Sequence, residues 1–331
     1  MVQSSLNSPA TGLGADSPEH EGRQVHFVTG KGGVGKSLVA CGLARRFADQ
    51  GKNTLLCQVN ARNSHSTLLG LNPADGGVPD DLLQVEPRLT VVNLNPAQAL
   101  REYALMTLKL EALYKAVFDN RLTRTFLRFV PSLNELSMMG KLWFHAEERA
   151  DTPMFAARQP RFDRIVVDCP STGHALKLLA VARVVTDTVR VGPMVEKTRA
   201  MAALWGDRTR CAVHVVTLPE ELPINETIEL LAKLRNAGTA HAGGIVVNQV
   251  LPRLFAKPWL VDEPGFAAHS ERLRAIVEVG RRRTQREALE VAQRGRLVDC
   301  GLKTIEVPHL QESPLGPQHL QAVAQMLGGL E

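Results

Sequence analysis

The sequence contains no CxxC pair. Its five cysteines, Cys41, Cys57, Cys169, Cys211 and Cys300, are odd in number and scattered, which argues against a disulfide framework or a zinc clamp and fits reduced thiols. No stretch approaches the roughly 18 uninterrupted apolar residues of a membrane span, so any membrane contact is expected through a partner. The N-terminal stretch 1–22 has no basic cluster followed by an apolar run. Its Ser, Pro, Gly and Asp content reads as a disordered tail, neither signal peptide nor anchor, and the expected location is cytoplasmic. The positive excess is small, +5, and acidic residues interrupt the basic ones along the chain. That pattern describes a solvated surface and gives no nucleic-acid footprint.

What remains is an ordinary globular composition, 44% hydrophobic and 22% charged, on a chain of 331 residues, long enough for one large α/β domain or two small ones. Short apolar runs at 25–29 (VHFVT), 54–59 (TLLCQV), 89–94 (LTVVNL), 164–168 (RIVVD), 212–217 (AVHVVT) and 244–248 (GIVVN) read as buried strands, and amphipathic helices separate most of them. This alternation predicts an α/β fold, a doubly wound, mostly parallel sheet with ligands at the carboxyl ends of its strands. Residues 23–331 are expected to form a single domain.

Between Pro96 and Pro160 no strand is expected, only amphipathic segments such as ALREYALMTLKLEALYKAVFDN and LNELSMMGKLWFHAEERAD. They predict an all-helical insertion and the candidate client- or partner-binding part, with Met106, Met138, Met139, Trp143 and Phe144 as its apolar stripe. An apolar helical face more often packs on its own sheet. A further helix is expected from Ser270 to Arg296, where arginines alternate with Glu278, Glu287 and Glu290 in the manner of a solvated face; no ligand is assigned to it.

The strongest signal is GKGGVGKS at 30–37, a G-x-x-x-x-G-K-[ST] motif placed after a strand and before a helix, the context a phosphate-binding loop needs. Gly32, Gly33 and Gly35 leave room for backbone N–H groups to face phosphate oxygens. Lys36 brings positive charge to the β- and γ-phosphates. Ser37 is the expected Mg²⁺ ligand, and the following helix offers the positive end of its dipole. The expected cradle runs through Gly30, Lys31, Gly32, Gly33, Val34, Gly35, Lys36, Ser37 and Leu38.

Lys31, a second lysine directly after the first glycine, makes the loop resemble the deviant Walker A form of the MinD, nitrogenase iron protein and ArsA group. The resemblance implies a nucleotide-sandwich dimer in which Lys31 reaches the partner's phosphates, much as an arginine finger acts in trans. Four more stretches resemble the ArsA branch of anion-transporting and tail-anchored-protein targeting ATPases. They are DCPSTGHALKLL at 168–179, LPEELPINET at 218–227, VVNQ at 246–249 and VPHLQESPLG at 307–316. The resemblance spans Gln24 to about Leu327. It implies Asp168 near the magnesium, Glu220 as a nucleotide-contacting acid, Asn248 at the adenine and Pro308 at the start of the loop closing over the base. It also implies an ATP- and Mg²⁺-dependent ATPase, a homodimer or a heterodimer with a paralogous subunit.

One departure concerns chemistry. Where the branch has D-P-A-H after the second strand, this chain has VNARNSHS, which puts Asn60 in the place of the water-positioning Asp. Asparagine orients water but accepts no proton, so slow hydrolysis is expected. Without CxxC a zinc-stapled dimer is not expected, and with Cys169 as the only cysteine near a switch, arsenite binding is not expected either.

Overall fold

The structure, a computed structural model, describes residues 22–61, 65–72, 74, 76–108, 132–150, 159–188, 193–254, 271–311 and 314–330. The expected tail at 1–21 lies outside them, as do residues 109–131 and 151–158 of the insertion and the side chain of Met106.

The chain runs β1 (Val25–Gly30), α1 (Lys36–Asp49), β2 (Thr54–Val59), β3 (Leu83–Glu86), β4 (Leu89–Leu94), α2 (Pro96–Leu108), α3 (Leu133–Glu147), β5 (Arg164–Asp168), α4 (Thr172–Thr188) and α5 (Pro193–Gly206). It continues through β6 (Cys211–Thr217), α6 (Glu221–Ala237), β7 (Ala242–Val250), α7 (Glu271–Gly295), β8 (Thr304–Pro308) and α8 (Pro317–Met326). The strands form one eight-stranded sheet in the order β3-β4-β2-β5-β1-β6-β7-β8. Every neighbouring pair is parallel except β3 with β4.

Strand side chains alternate between two faces, and each face has its own core. On one, Phe27, Leu55, Val167, Val215 and Val247 meet α3 to α6 through Leu142, Leu178, Trp205 and Leu234. On the other, Val28, Leu56, Val166, Val216 and Val246 meet α1 and α8 through Leu43, Phe47, Val323 and Leu327. Covering both faces explains why the central strands read as unbroken apolar runs.

Two strands lacked a signal in the sequence, β3 and β8. Both lie at the edges of the sheet and carry exposed or half-exposed residues in place of an apolar run. The described parts of the insertion are the helices α2 and α3, and an isolated antiparallel bridge joins Arg149 to Pro160. Its apolar stripe is mostly core: Met138 and Met139 are buried, Trp143 packs against them, and Phe144 alone of these stays exposed, at 41%. Met138, Met139 and Trp143 thus follow the commoner of the two readings of an apolar helical face, packing against the protein's own core. Among the described residues no helix is long and apolar enough to cross a membrane.

Candidate nucleotide site

β1 lies between β5 and β6 in the middle of the sheet. The loop leaving it therefore sits at the carboxyl edge, flanked by the ends of its two neighbours, and α1 begins at Lys36 without a side-chain cap. The first N–H groups of a helix have no intrahelical partners and present partial positive charge, so the loop leads into an anion site.

Glycine is enforced here by contact. Gly35 has φ +89°, and a Cβ on it would stand 2.1 Å from Asn248 Nδ2. A Cβ on Gly30 would meet the Val216 carbonyl oxygen at 2.1 Å. At Gly32 and Gly33 nothing lies within 4 Å of such a Cβ, so the inner side of the loop is open, as a phosphate cradle requires. Val34 and Leu38 bury their side chains in the core, leaving only their backbone to the cradle.

The charged groups converge. Lys36 Nζ donates to the Lys31 carbonyl at 2.9 Å; burial lowers its pKa, and the charge of Asp168 opposes that shift. Ser37 Oγ donates to Asp168 Oδ2 at 2.6 Å. The same oxygen faces His65 Nε2 at 2.8 Å, and His65 is wholly buried. For Nε2 to donate, the proton sits there, which leaves Nδ1 as an acceptor without a partner. Asp168 Oδ1 is also buried and unpartnered. A hydroxyl and a carboxylate with an orphaned buried oxygen match the hard oxygen set magnesium takes, so these residues fit the ion.

The remaining expected residues fall at the same edge. Asn248 is buried; its Nδ2 donates to the Val34 carbonyl at 2.9 Å and its Oδ1 accepts from the Gln249 N–H at 2.9 Å. It therefore braces the loop from the exit of β7, a role that the expectation of an adenine contact did not foretell. Glu220 caps α6 in an exposed position, its Oε1 3.9 Å from Arg286. Pro308 closes β8. Asn60 ends β2 exposed, with φ +43°, and its N–H donates to the Leu94 carbonyl; asparagine is among the few non-glycine residues that tolerate such a conformation.

Three residues were given no part in the site by the sequence: His65, Glu226, and Glu290, which read as one charge of a solvated helix face. Glu226 Oε1 holds Lys31 Nζ at 2.8 Å, each side chain about a third exposed. Glu290 is buried beside the β7 exit. The only signal for His65 was its place in the stretch aligned with the first switch. Burial pushes the Cys169 and Cys57 thiols well up and Cys211 to about 12. Among the described residues no three metal-ligating side chains come together.

Comparison with known proteins bears on the family. The profile described as "Anion-transporting ATPase" matches residues 23–192. The chain is 28% identical over 236 residues to ATPase BagA of Mycobacterium tuberculosis, covering 70% of this chain and 66% of that protein. It is 27% identical to ATPase ARSA1 of Chlamydomonas reinhardtii, over 73% of this chain and 37% of that one. With ATPase GET3C of Arabidopsis thaliana the identity is 24%, over 70% and 68%. The matched stretch thus spans just under two thirds of the length of the mycobacterial relative.

Proposed function

Because this chain belongs to the anion-transporting ATPase family, we propose that it is a dimeric ATP-hydrolysing switch that couples Mg·ATP binding to the grip or release of a protein client. The observation that carries the reading is the Ser37–Asp168 pair at the start of α1, beside Lys36 and an open glycine loop. The loop N–H groups and the α1 N-terminus would bind the phosphates, and Lys36 would exchange the Lys31 carbonyl for phosphate oxygens. Magnesium held by Ser37, with Asp168 beside it, would neutralise charge between the β- and γ-phosphates. His65 keeps Asp168 oriented. Lys31 would leave Glu226 to reach the partner subunit's phosphates, and Asn60 would orient the attacking water without accepting its proton.

The partner is a second copy or a paralogous ATPase subunit, and the client is expected at the helical insertion, residues 96–160. A second reading, an ATP-binding regulatory subunit with no useful turnover, draws on Asn60. An arsenite-stimulated pump subunit has the least support, since Cys41, Cys57, Cys169 and Cys211 are buried and no cluster of thiols forms among the described residues.

Steady-state phosphate release with Mg·ATP tests the reading, with Asn60→Asp beside the wild type and Lys36→Ala as the blank. Turnover in the wild type that Asn60→Asp changes little supports the switch enzyme. Silence that Asn60→Asp relieves supports the regulatory subunit.

A further inference from the structure

A buried carboxylate stands at the base end of the site with one oxygen unused. Glu290, on α7, is 4% exposed. Its Oε2 accepts the Leu251 N–H at 3.1 Å, just beyond the end of β7, while Oε1 is buried without a hydrogen-bond partner. The nearest cation, Arg286 Nε, lies 3.4 Å from Oε1 as an ion pair only, and its side chain is 62% exposed. A buried acceptor left open is costly unless something fills it.

Glu290 and Leu251 line both of two cavities. The smaller, about 100 Å³, is lined also by Glu220, Gln249, Arg286 and His309. It therefore joins the residue after Asn248 to the residue after Pro308. The larger, about 760 Å³, runs along α7 past Pro308. Asn248 has both ends of its amide engaged within the chain, so its side chain is committed to the phosphate loop. Among the described side chains lining these cavities, Glu290 Oε1 is a buried acceptor with no hydrogen bond, facing only the ion pair with Arg286.

We propose that Glu290 is the residue that selects adenine, its Oε1 accepting a hydrogen from the base's 6-amino group once the exposed Arg286 swings aside. The inference rests on the nucleotide site proposed above. A single open carboxylate oxygen suits a single donor group. Adenine offers an amine at position 6, whereas guanine and hypoxanthine place an acceptor oxygen there, which would face the carboxylate with repulsion. A site built to receive a hydrogen bond rejects analogues lacking the donor more strongly than an apolar pocket rejects a change of size.

The test is titration calorimetry of the full chain with ATP, inosine triphosphate, N6,N6-dimethyl-ATP and inorganic tripolyphosphate. The wild type should bind ATP at least about tenfold more tightly than either analogue lacking the donor. Glu290→Gln, whose amide also donates, should bring ATP and inosine triphosphate within about threefold of each other and leave tripolyphosphate unchanged. Arg286→Ala, at an exposed position, should keep or widen the wild-type preference, and it decides the matter if the Glu290 variant does not fold. A wild type indifferent to position 6, a Glu290→Gln variant with full preference, or an Arg286→Ala variant that loses it overturns the proposal while tripolyphosphate binding persists. Failure of tripolyphosphate itself to bind the wild type overturns the phosphate site, and this inference with it.

Discussion

Lys31 Nζ and Glu226 Oε1 are 2.8 Å apart, a pair joining the phosphate loop to the second turn of α6 across 195 residues of sequence. If Lys31 acts in trans, Glu226 competes with the partner's phosphates for the same ammonium. A half-exposed pair of this kind is worth roughly 0–1 kcal/mol. Glu226→Gln should therefore tighten Mg·ATP-dependent self-association by up to about fivefold in sedimentation velocity. Lys31→Ala should weaken that association and leave ATP affinity nearly intact. Unchanged self-association in the Lys31 variant would sink the sandwich dimer.

Lys36 donates to the Lys31 carbonyl, and in the proposed site phosphate oxygens would take that carbonyl's place. Lys36→Ala should lower ATP affinity by about a hundredfold or more, through the loss of charge-assisted bonds each worth roughly 1.5–3 kcal/mol. Fluorescent-nucleotide titration would measure this, and an affinity within threefold of the wild type would contradict the assignment.

At Gly35 a methyl group meets both a positive φ and the Asn248 amide at 2.1 Å. Gly35→Ala should abolish detectable ATP binding and lower stability by about 1–3 kcal/mol, the cost of a residue forced into sparsely populated backbone space. Urea unfolding beside nucleotide titration separates the two effects.

His26 and His214 stack in the core, Nδ1 to Nε2 at 3.0 Å, both wholly buried. Burial, the main cause, pulls the His26 pKa down to about 3 and drives that of His214 well below its usual value. Folded, both rings are neutral; unfolded, they take protons near pH 6.5. Their stabilising effect is thus complete above pH 6.5 and lost as pH falls from there towards 3 for His26. The loss is about 1.4 kcal/mol per pH unit for each ring. Melting temperature should fall between pH 6.5 and 5, above the range in which most carboxylates titrate. A flat profile there would contradict the buried neutral pair.

Four of the five thiols are buried and one, Cys300, is partly exposed. Thiolate is the reactive form, and burial raises the pKa of all five, Cys300 included, so access to the reagent sets them apart. In the native protein one thiol should react with Ellman's reagent within minutes and the others only on unfolding. Arsenite should leave phosphate release unchanged.

The sequence made the sheet legible where strands are buried on both faces, since β1, β2, β4, β5, β6 and β7 all carry apolar runs. β3 and β8 were hidden because an edge strand needs no such run. The phosphate loop was legible because its function demands fixed residue types at fixed spacing. His65 and Glu226 were not, as each is placed by a contact 103 or 195 residues away. Glu290 looked like one more charge on a solvated helix, and only the packing of α7 against Leu251 shows that it is buried. Met138 and Met139 illustrate the converse, an apolar stripe whose partner is the protein's own sheet.

The Asn248 amide is a rivet. Its two bonds, one to the Val34 carbonyl and one to the Gln249 N–H, fasten the exit of β7 to the backbone of the glycine loop. Neither the end of β7 nor the glycine loop can then shift without straining the other. A change that re-seats the end of β7 would thus be felt in the glycine loop through a single side chain, and one that tilts α7 would reach the same point by way of Glu290 and Leu251.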